Sequence, residues 1–346
     1  MASLKSQTIG GDRYSIKIEG ELNASSQVSD ESQRPRNPFS PWVFARTLWL
    51  FTESDFATFV VPDTLFGICS ALAGPVLTAN ESPDLLAILL RLPQVLFYNW
   101  ANLLIFDLAN QRLPEAVEED RLNKPWRPLP TGRITDSQTR RLLLVSLPIV
   151  LAVNWLLGAW KETAFLYSLS WMYNDLKGGD EDFIVRNMII GLGFGLYNGG
   201  SLSIACGSGQ SITISGYRWV ALISCVIFTT MHVQDMKDQV GDQVRGRRTV
   251  PLSLGDTAAR WTIAIPMAVW SVVCPFYLGL EPLGYFVPCG LGSLIVARIL
   301  VLQGVEYDRN TWKFWALWIC FLYMLPLLKS PQVRLLSWMS FATGGS

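Results

Sequence analysis

Val226-Ile227-Phe228-Thr229-Thr230-Met231-His232-Val233-Gln234-Asp235-Met236-Lys237-Asp238-Gln239-Val240-Gly241-Asp242 passes from an apolar run directly into an acidic one, then into the basic loop Gly246-Arg247-Arg248-Thr249-Val250-Pro251-Leu252. Helical spacing of three and four residues stacks Asp235, Asp238 and Asp242 on one face, where like charges repel. A hard cation with oxygen ligands, Mg²⁺ above all, relieves such a stripe and completes its shell with water and phosphate oxygens. A solvated helix end neutralised by Lys237, Arg245, Arg247 and Arg248 relieves it as well. At this point both readings stand.

The apolar run decides the fold class. Of 346 residues, 50% are hydrophobic and only 16% charged, with a mean hydropathy of +0.28. That is too apolar for an ordinary soluble protein and indicates an all-α, polytopic membrane protein whose partner is the lipid bilayer. A net charge of zero gives no attraction to nucleic acid. The six cysteines are scattered singly, without metal-ligand spacing, and read as small buried hydrophobes. His232, the single histidine, argues against a zinc site or a Ser-His-Asp hydrolase. It shares the acidic face, where a functional role and simple packing are both open. Nothing calls for an obligate protein partner.

The chain divides into a polar, disordered N-terminal tail (residues 1–41), a membrane domain (42–330) and a C-terminal tail (331–346). The Asn23-Ala24-Ser25 sequon lies in the first tail, where a cytosolic location silences it. About nine membrane helices are expected, near residues 56–73, 85–109, 142–157, 163–172, 184–205, 219–231, 261–278, 285–302 and 312–327. An interfacial turn around residues 46–51 precedes the first. Asp63 inside that helix should face the bundle interior. Loops rich in Lys and Arg alternate with loops lacking them, which places the N-terminus and both acidic stretches in the cytosol.

Near the end of the second span, Asn99, Asn102, Asp107, Asn110 and Gln111 form a polar stripe that should face the same cavity as Asp235. A polar loop carrying Glu115, Glu118, Glu119 and Asp120 follows. Gly191, Gly193 and Gly195 are read as a surface for close helix packing.

Two motifs carry a resemblance. Asp235-x-x-Asp238-x-x-Gly241-Asp242 followed by Gly246-x-x-Thr249-Val250-Pro251 resembles the second aspartate-rich motif of the UbiA superfamily of intramembrane prenyltransferases. Asn123-Lys124-Pro125-x-Arg127-Pro128-Leu129-Pro130-x-Gly132 resembles the segment after its first motif. The resemblance implies a helical bundle, capped by cytosolic loops, in which Mg²⁺ ions grip an isoprenoid diphosphate of the farnesyl or geranylgeranyl class. Carried over by position, Asp235, Asp238, Asp242 and Asp107 would be catalytic metal ligands. Lys177, Lys124, Arg127, Arg186 and Asn110 would meet the diphosphate.

The first motif departs from the family pattern, reading Phe106-Asp107-Leu108-Ala109-Asn110-Gln111. Either Asp107, Asn110 and Gln111 bind the metal, or the loop folds back and brings Glu119 and Asp120 in their place. This variant is similar to the divergent fungal terpene-cyclase branch, so cyclisation is the leading expectation and transfer to an aromatic acceptor the alternative. A cation transporter is the remote third. The endoplasmic reticulum is the expected membrane.

Overall fold

The computed structural model describes residues 40–330. The N-terminal tail up to residue 39, its sequon and the C-terminal tail 331–346 lie outside the described residues. Two units divide the chain, residues 1–45 and 46–346. Of the first, residues 41–45 open a helix, and everything below concerns the second.

The regular elements among the described residues are all helices, apart from one isolated bridge between Thr78 and Ile212. In order they form α1 (Pro41–Phe56), α2 (Val60–Leu72), the short α3 (Leu85–Leu89), α4 (Leu92–Gln111), α5 (Pro114–Asn123), α6 (Asp136–Leu156) and α7 (Trp160–Asn174). Then come the single turn α8 (Gly178–Glu181), α9 (Phe183–Cys206), α10 (Ile214–Thr230), a 3-10 turn (Met231–Gln234), α11 (Asp235–Arg245) and the short α12 (Val250–Leu254). Last are α13 (Asp256–Tyr277), α14 (Leu283–Val301) and α15 (Val305–Leu328).

Seven of these stretches are long and apolar enough to cross a membrane, or eight if α1 and α2 count as one broken span. Nine were expected. The difference lies in α7, whose 15 residues reach only ~22 Å against a hydrocarbon core of ~30 Å. The first expected span is also redrawn. α1 and α2 meet at a bend of 70°. There the Asp55 carbonyl accepts from the Thr58 and Phe59 amides and from the Thr58 hydroxyl, which ends one helix before the next begins. The expected interfacial turn is part of α1. The expected polar loop is the helix α5, started by Pro114 at a position where its missing N–H costs nothing.

α9 is the central element, packed on α2, α4, α7 and α10. A Cβ at Gly191 would lie 2.9 Å from the Ser224 carbonyl of α10, and one at Gly195 would lie 2.5 Å from its hydroxyl, so these glycines do serve close packing. Gly193 faces the other way and meets nothing within 4 Å. Asp63 is fully buried, as expected, with the Tyr323 hydroxyl donating to it at 3.4 Å. Asn99 does not face the cavity. Its amide donates to Thr64 at 2.9 Å and its carbonyl accepts from Ser201 at 3.0 Å, tying α4 to α2 and α9.

The 32 residues from Ile214 to Arg245 form one candidate span whose apolar part is α10 and whose acidic part is α11. The 3-10 turn between them tightens the winding just before Asp235. Gly246, with φ +78°, takes the left-handed conformation that closes α11.

Candidate functional site

Asp235, Asp238 and Asp242 of α11 all line a single cavity of about 1250 Å³, its open mouth included. Asp107 and Asn110 of α4, Glu119 of α5, Lys124 and Arg127 after it, and Arg186 of α9 line it too. Two distant stretches of chain therefore converge, as the charge pattern of the loops demanded.

The stacked aspartates are not left to repel. The Arg186 guanidinium donates to Asp235 at 2.8 Å, Arg247 donates to Asp242 at 3.0 Å, and Lys237 pairs with Asp238 while lying 4.6 Å over the Trp312 ring. Arg247 also reaches Glu119 at 2.9 Å, and Arg245 holds Glu119 and Asp180, each at 3.0 Å. Burial drives the Glu119 carboxyl upward, but the Arg247 and Arg245 guanidiniums outweigh it and hold the group below its ordinary 4.5. For Asp120 burial wins and the carboxyl is raised, despite the neighbouring Arg127.

Three of the expected residues stand elsewhere. Gln111 turns its amide away to the Phe51 carbonyl at 2.8 Å and does not line the cavity. Asp120 does not line the cavity either and pairs with Arg127 at 3.0 Å. Lys177 is the only non-glycine residue with positive φ among those described (57°), and it does not line the cavity. It pairs with Glu115 at 2.7 Å, both side chains about half exposed. The hydrogen bond from Lys177 holds the Glu115 carboxyl below its ordinary range, and the same bond raises the Lys177 ammonium. Arg127 does line the cavity, yet its guanidinium is already engaged by Asp120, by Asp55 at 2.6 Å and by Ser54 at 2.9 Å. His232 leaves the acidic face, its Nε2 lying 3.0 Å from the Thr262 hydroxyl.

Sequence reasoning missed three contributors. Asp55, at the end of α1, lines the mouth and holds Lys124 at 3.5 Å as well as Arg127. Only its charge inside an apolar segment signalled it. Lys237 and Arg247 were read as neutralising charges, and they are that, but both also line the cavity. Their place beside the aspartates was the available signal.

Behind the charged mouth the cavity becomes apolar. Phe59 stacks on Phe194 at 4.8 Å between ring centres, and Phe106 leans on Tyr173 at 5.3 Å. Leu103, Leu166, Ile189 and Tyr197 continue the wall, and Gly193 leaves part of it bare. The arrangement suits a molecule with an anionic head and a long apolar body.

No three acidic, histidine or cysteine side chains among the described residues stand close enough to cage a metal by themselves. Mg²⁺, which takes one or two carboxylates and completes its shell with water and phosphate, does not need such a cage. Asp107 Oδ2 and Asp242 Oδ2 are buried, belong to cavity-lining residues and have no hydrogen-bond donor. Orphaned carboxylate oxygens of this kind fit a divalent cation.

Comparison with known proteins agrees in fold and family. A model described as the UbiA prenyltransferase family matches residues 67–325. The fumagillin beta-trans-bergamotene synthase of Aspergillus fumigatus is 32% identical over 67% of this chain and 74% of its own length. The somaliensene A/B synthase of Streptomyces somaliensis is 27% identical over 80% and 90% respectively. Among solved structures, a UbiA homolog from Archaeoglobus fulgidus bound to GPP and Mg²⁺ superimposes with a TM-score of 0.57 at 16% identity, covering 81% of this chain and 99% of that one.

Proposed function

We propose, from the premise that this chain belongs to the UbiA prenyltransferase family, that it is an integral membrane terpene cyclase acting on an isoprenoid diphosphate. The observation that carries the reading is one cavity with a mouth of carboxylates and cations and an interior of aromatic and aliphatic side chains. Two of its relatives are named as terpene synthases.

Asp235, Asp238 and Asp242 on one wall and Asp107 with Asn110 on the other are the residues that would hold Mg²⁺. Bound there, the metal would offset the charge that develops on the leaving diphosphate. Arg186, Lys237, Arg247 and Lys124 supply the cations within reach of diphosphate oxygens. Each now pairs with a carboxylate, so the mouth holds its charges in balance before substrate arrives. Arg127 and Asp55 act at one remove, bracing the segment that presents Lys124.

The allylic C–O bond breaks with its electron pair going to the diphosphate. A double bond further along the same chain attacks the cation and forms the ring bond, and a proton is then lost to a diphosphate oxygen. Phe59, Phe194, Tyr197 and Phe106 line the interior and would supply π-electron density to the cation and exclude water that would quench it. The Lys and Arg bias of the loops supports a mouth on the cytosolic side, and the endoplasmic reticulum is the membrane proposed.

The test is to incubate membranes bearing the protein with Mg²⁺ and isoprenoid diphosphates of increasing length, adding no acceptor. A cyclic hydrocarbon with release of diphosphate supports the cyclase. Product formed only after an aromatic acid or phenol is added replaces it with the transferase. Solute flux without either replaces both with a transporter.

A further inference from the structure

A second, smaller cavity of about 490 Å³, mouth included, lies between α9, α10, the 3-10 turn, α12 and α13, and the proposed chemistry does not use it. Phe183, Ile184, Phe228, Val250, Leu254 and Pro266 form its apolar wall. Ile184, Phe228 and Leu254 are 54%, 36% and 48% exposed, so its rim opens on the apolar flank of the bundle. No acidic side chain, lysine or arginine lines it, which selects a neutral ligand.

Its polar residues are Asn187, Thr229, His232 and Thr262. Thr229 accepts from Trp270 at 2.9 Å and donates to the Cys225 carbonyl at 2.8 Å, so it is satisfied. Thr262 spends its single proton on the Ala259 carbonyl at 2.8 Å. Its oxygen must therefore accept from His232 Nε2–H at 3.0 Å, which leaves His232 Nδ1 as a bare acceptor. That atom is buried without a partner. Asn187 is only 4% exposed, and its Oδ1 is a second buried acceptor with no donor. Two orphaned acceptors in one neutral, apolar-walled cavity call for donor hydrogens carried on an apolar body.

We infer that this cavity is a site for a neutral membrane lipid with free hydroxyl groups, of the monoacylglycerol type, whose two hydroxyls donate to Asn187 Oδ1 and His232 Nδ1 while its chain leaves past Phe183 and Phe228. A diol satisfies both acceptors, a mono-alcohol only one, and an ether neither.

The purified full-length protein in phosphatidylcholine nanodiscs is titrated with glycerol monooleate, oleyl alcohol and methyl oleyl ether, and the rise in melting temperature gives apparent affinities. The expected order is diol, alcohol, ether, with a step of roughly three- to tenfold per hydroxyl. Asn187→Leu, which keeps the volume and removes one acceptor, should merge the first two. In parallel, a diazirine-bearing monoacylglycerol is cross-linked to the unaltered protein, which needs no variant to fold. Labelling should fall on residues 183–187 and near Phe228. Equal stabilisation by all three lipids, or labelling confined to other helices, overturns the site and leaves the two acceptors to water.

Discussion

The two walls of the cavity mouth do the same work in different ways. On one wall a single helix, α11, delivers Asp235, Asp238 and Asp242 within eleven residues. On the other, Asp55, Asp107 and Glu119 come from α1, α4 and α5, and ion pairs with elements remote in sequence hold Asp55 and Glu119. A site carried by one helix is preserved by its spacing, whereas a site assembled from three depends on whatever holds those helices together. The first should respond to substitution in its chemistry, and the ion-paired members of the second in stability as well.

The largest test of this contrast is Asp238→Asn, which keeps the shape of the side chain and, unlike Asp235→Asn, strands no buried guanidinium. Turnover should fall by about 10³-fold while the protein stays folded in membranes. Near-normal product formation from the folded variant would remove α11 from the chemistry.

Next, Asp107→Asn and Asp120→Asn should part company. Asp107 lines the cavity with an orphaned oxygen, so its loss should lower kcat by roughly 10²-fold with little change in melting temperature. Asp120 faces Arg127, and removing its charge weakens one of the guanidinium's bonds while Asp55 and Ser54 remain, at a cost of about 2 kcal/mol. A drop in Tm with kcat retained in the folded fraction is the expected result, and equal effects on both quantities would erase the distinction.

Acid should break the ion pairs of the assembled wall only below the ordinary carboxylate range. The Glu119 carboxyl sits below its ordinary 4.5 because of Arg247 and Arg245. Its contribution is fully present above the unfolded value and is lost as pH falls through the folded value. Melting curves across acidic pH should be less steep in pH for Glu119→Gln than for the unaltered chain, and identical slopes would break the link. The smallest effect is expected at Lys177, whose exposed pair with Glu115 is worth at most about 1 kcal/mol. Lys177→Ala should leave turnover close to normal, and a large loss in the kinetic assay would return Lys177 to the mouth.

The same contrast explains what could be read beforehand. The α11 triad was legible because all its members share one helical period. The membrane character was legible in composition, and the convergence of the two acidic stretches in the charge of alternate loops. Gln111 was misassigned because a four-residue step from Asp107 sets the face of the helix but not its neighbour, and α1 with the Phe51 carbonyl takes that amide. Lys177 was placed by resemblance alone, which carries no sign of the pair it makes with Glu115 off the cavity lining. Asp55 was beyond reach, since only the bend between α1 and α2 brings it to the mouth.

The bare patch at Gly193 has an evolutionary reading. A side chain introduced there would grow into open space beside the stacked rings of Phe59 and Phe194, without disturbing the acids or the helix contacts. Descendants of this chain could thus trade one reaction product for another of different bulk by a single codon change, leaving the ionising machinery intact.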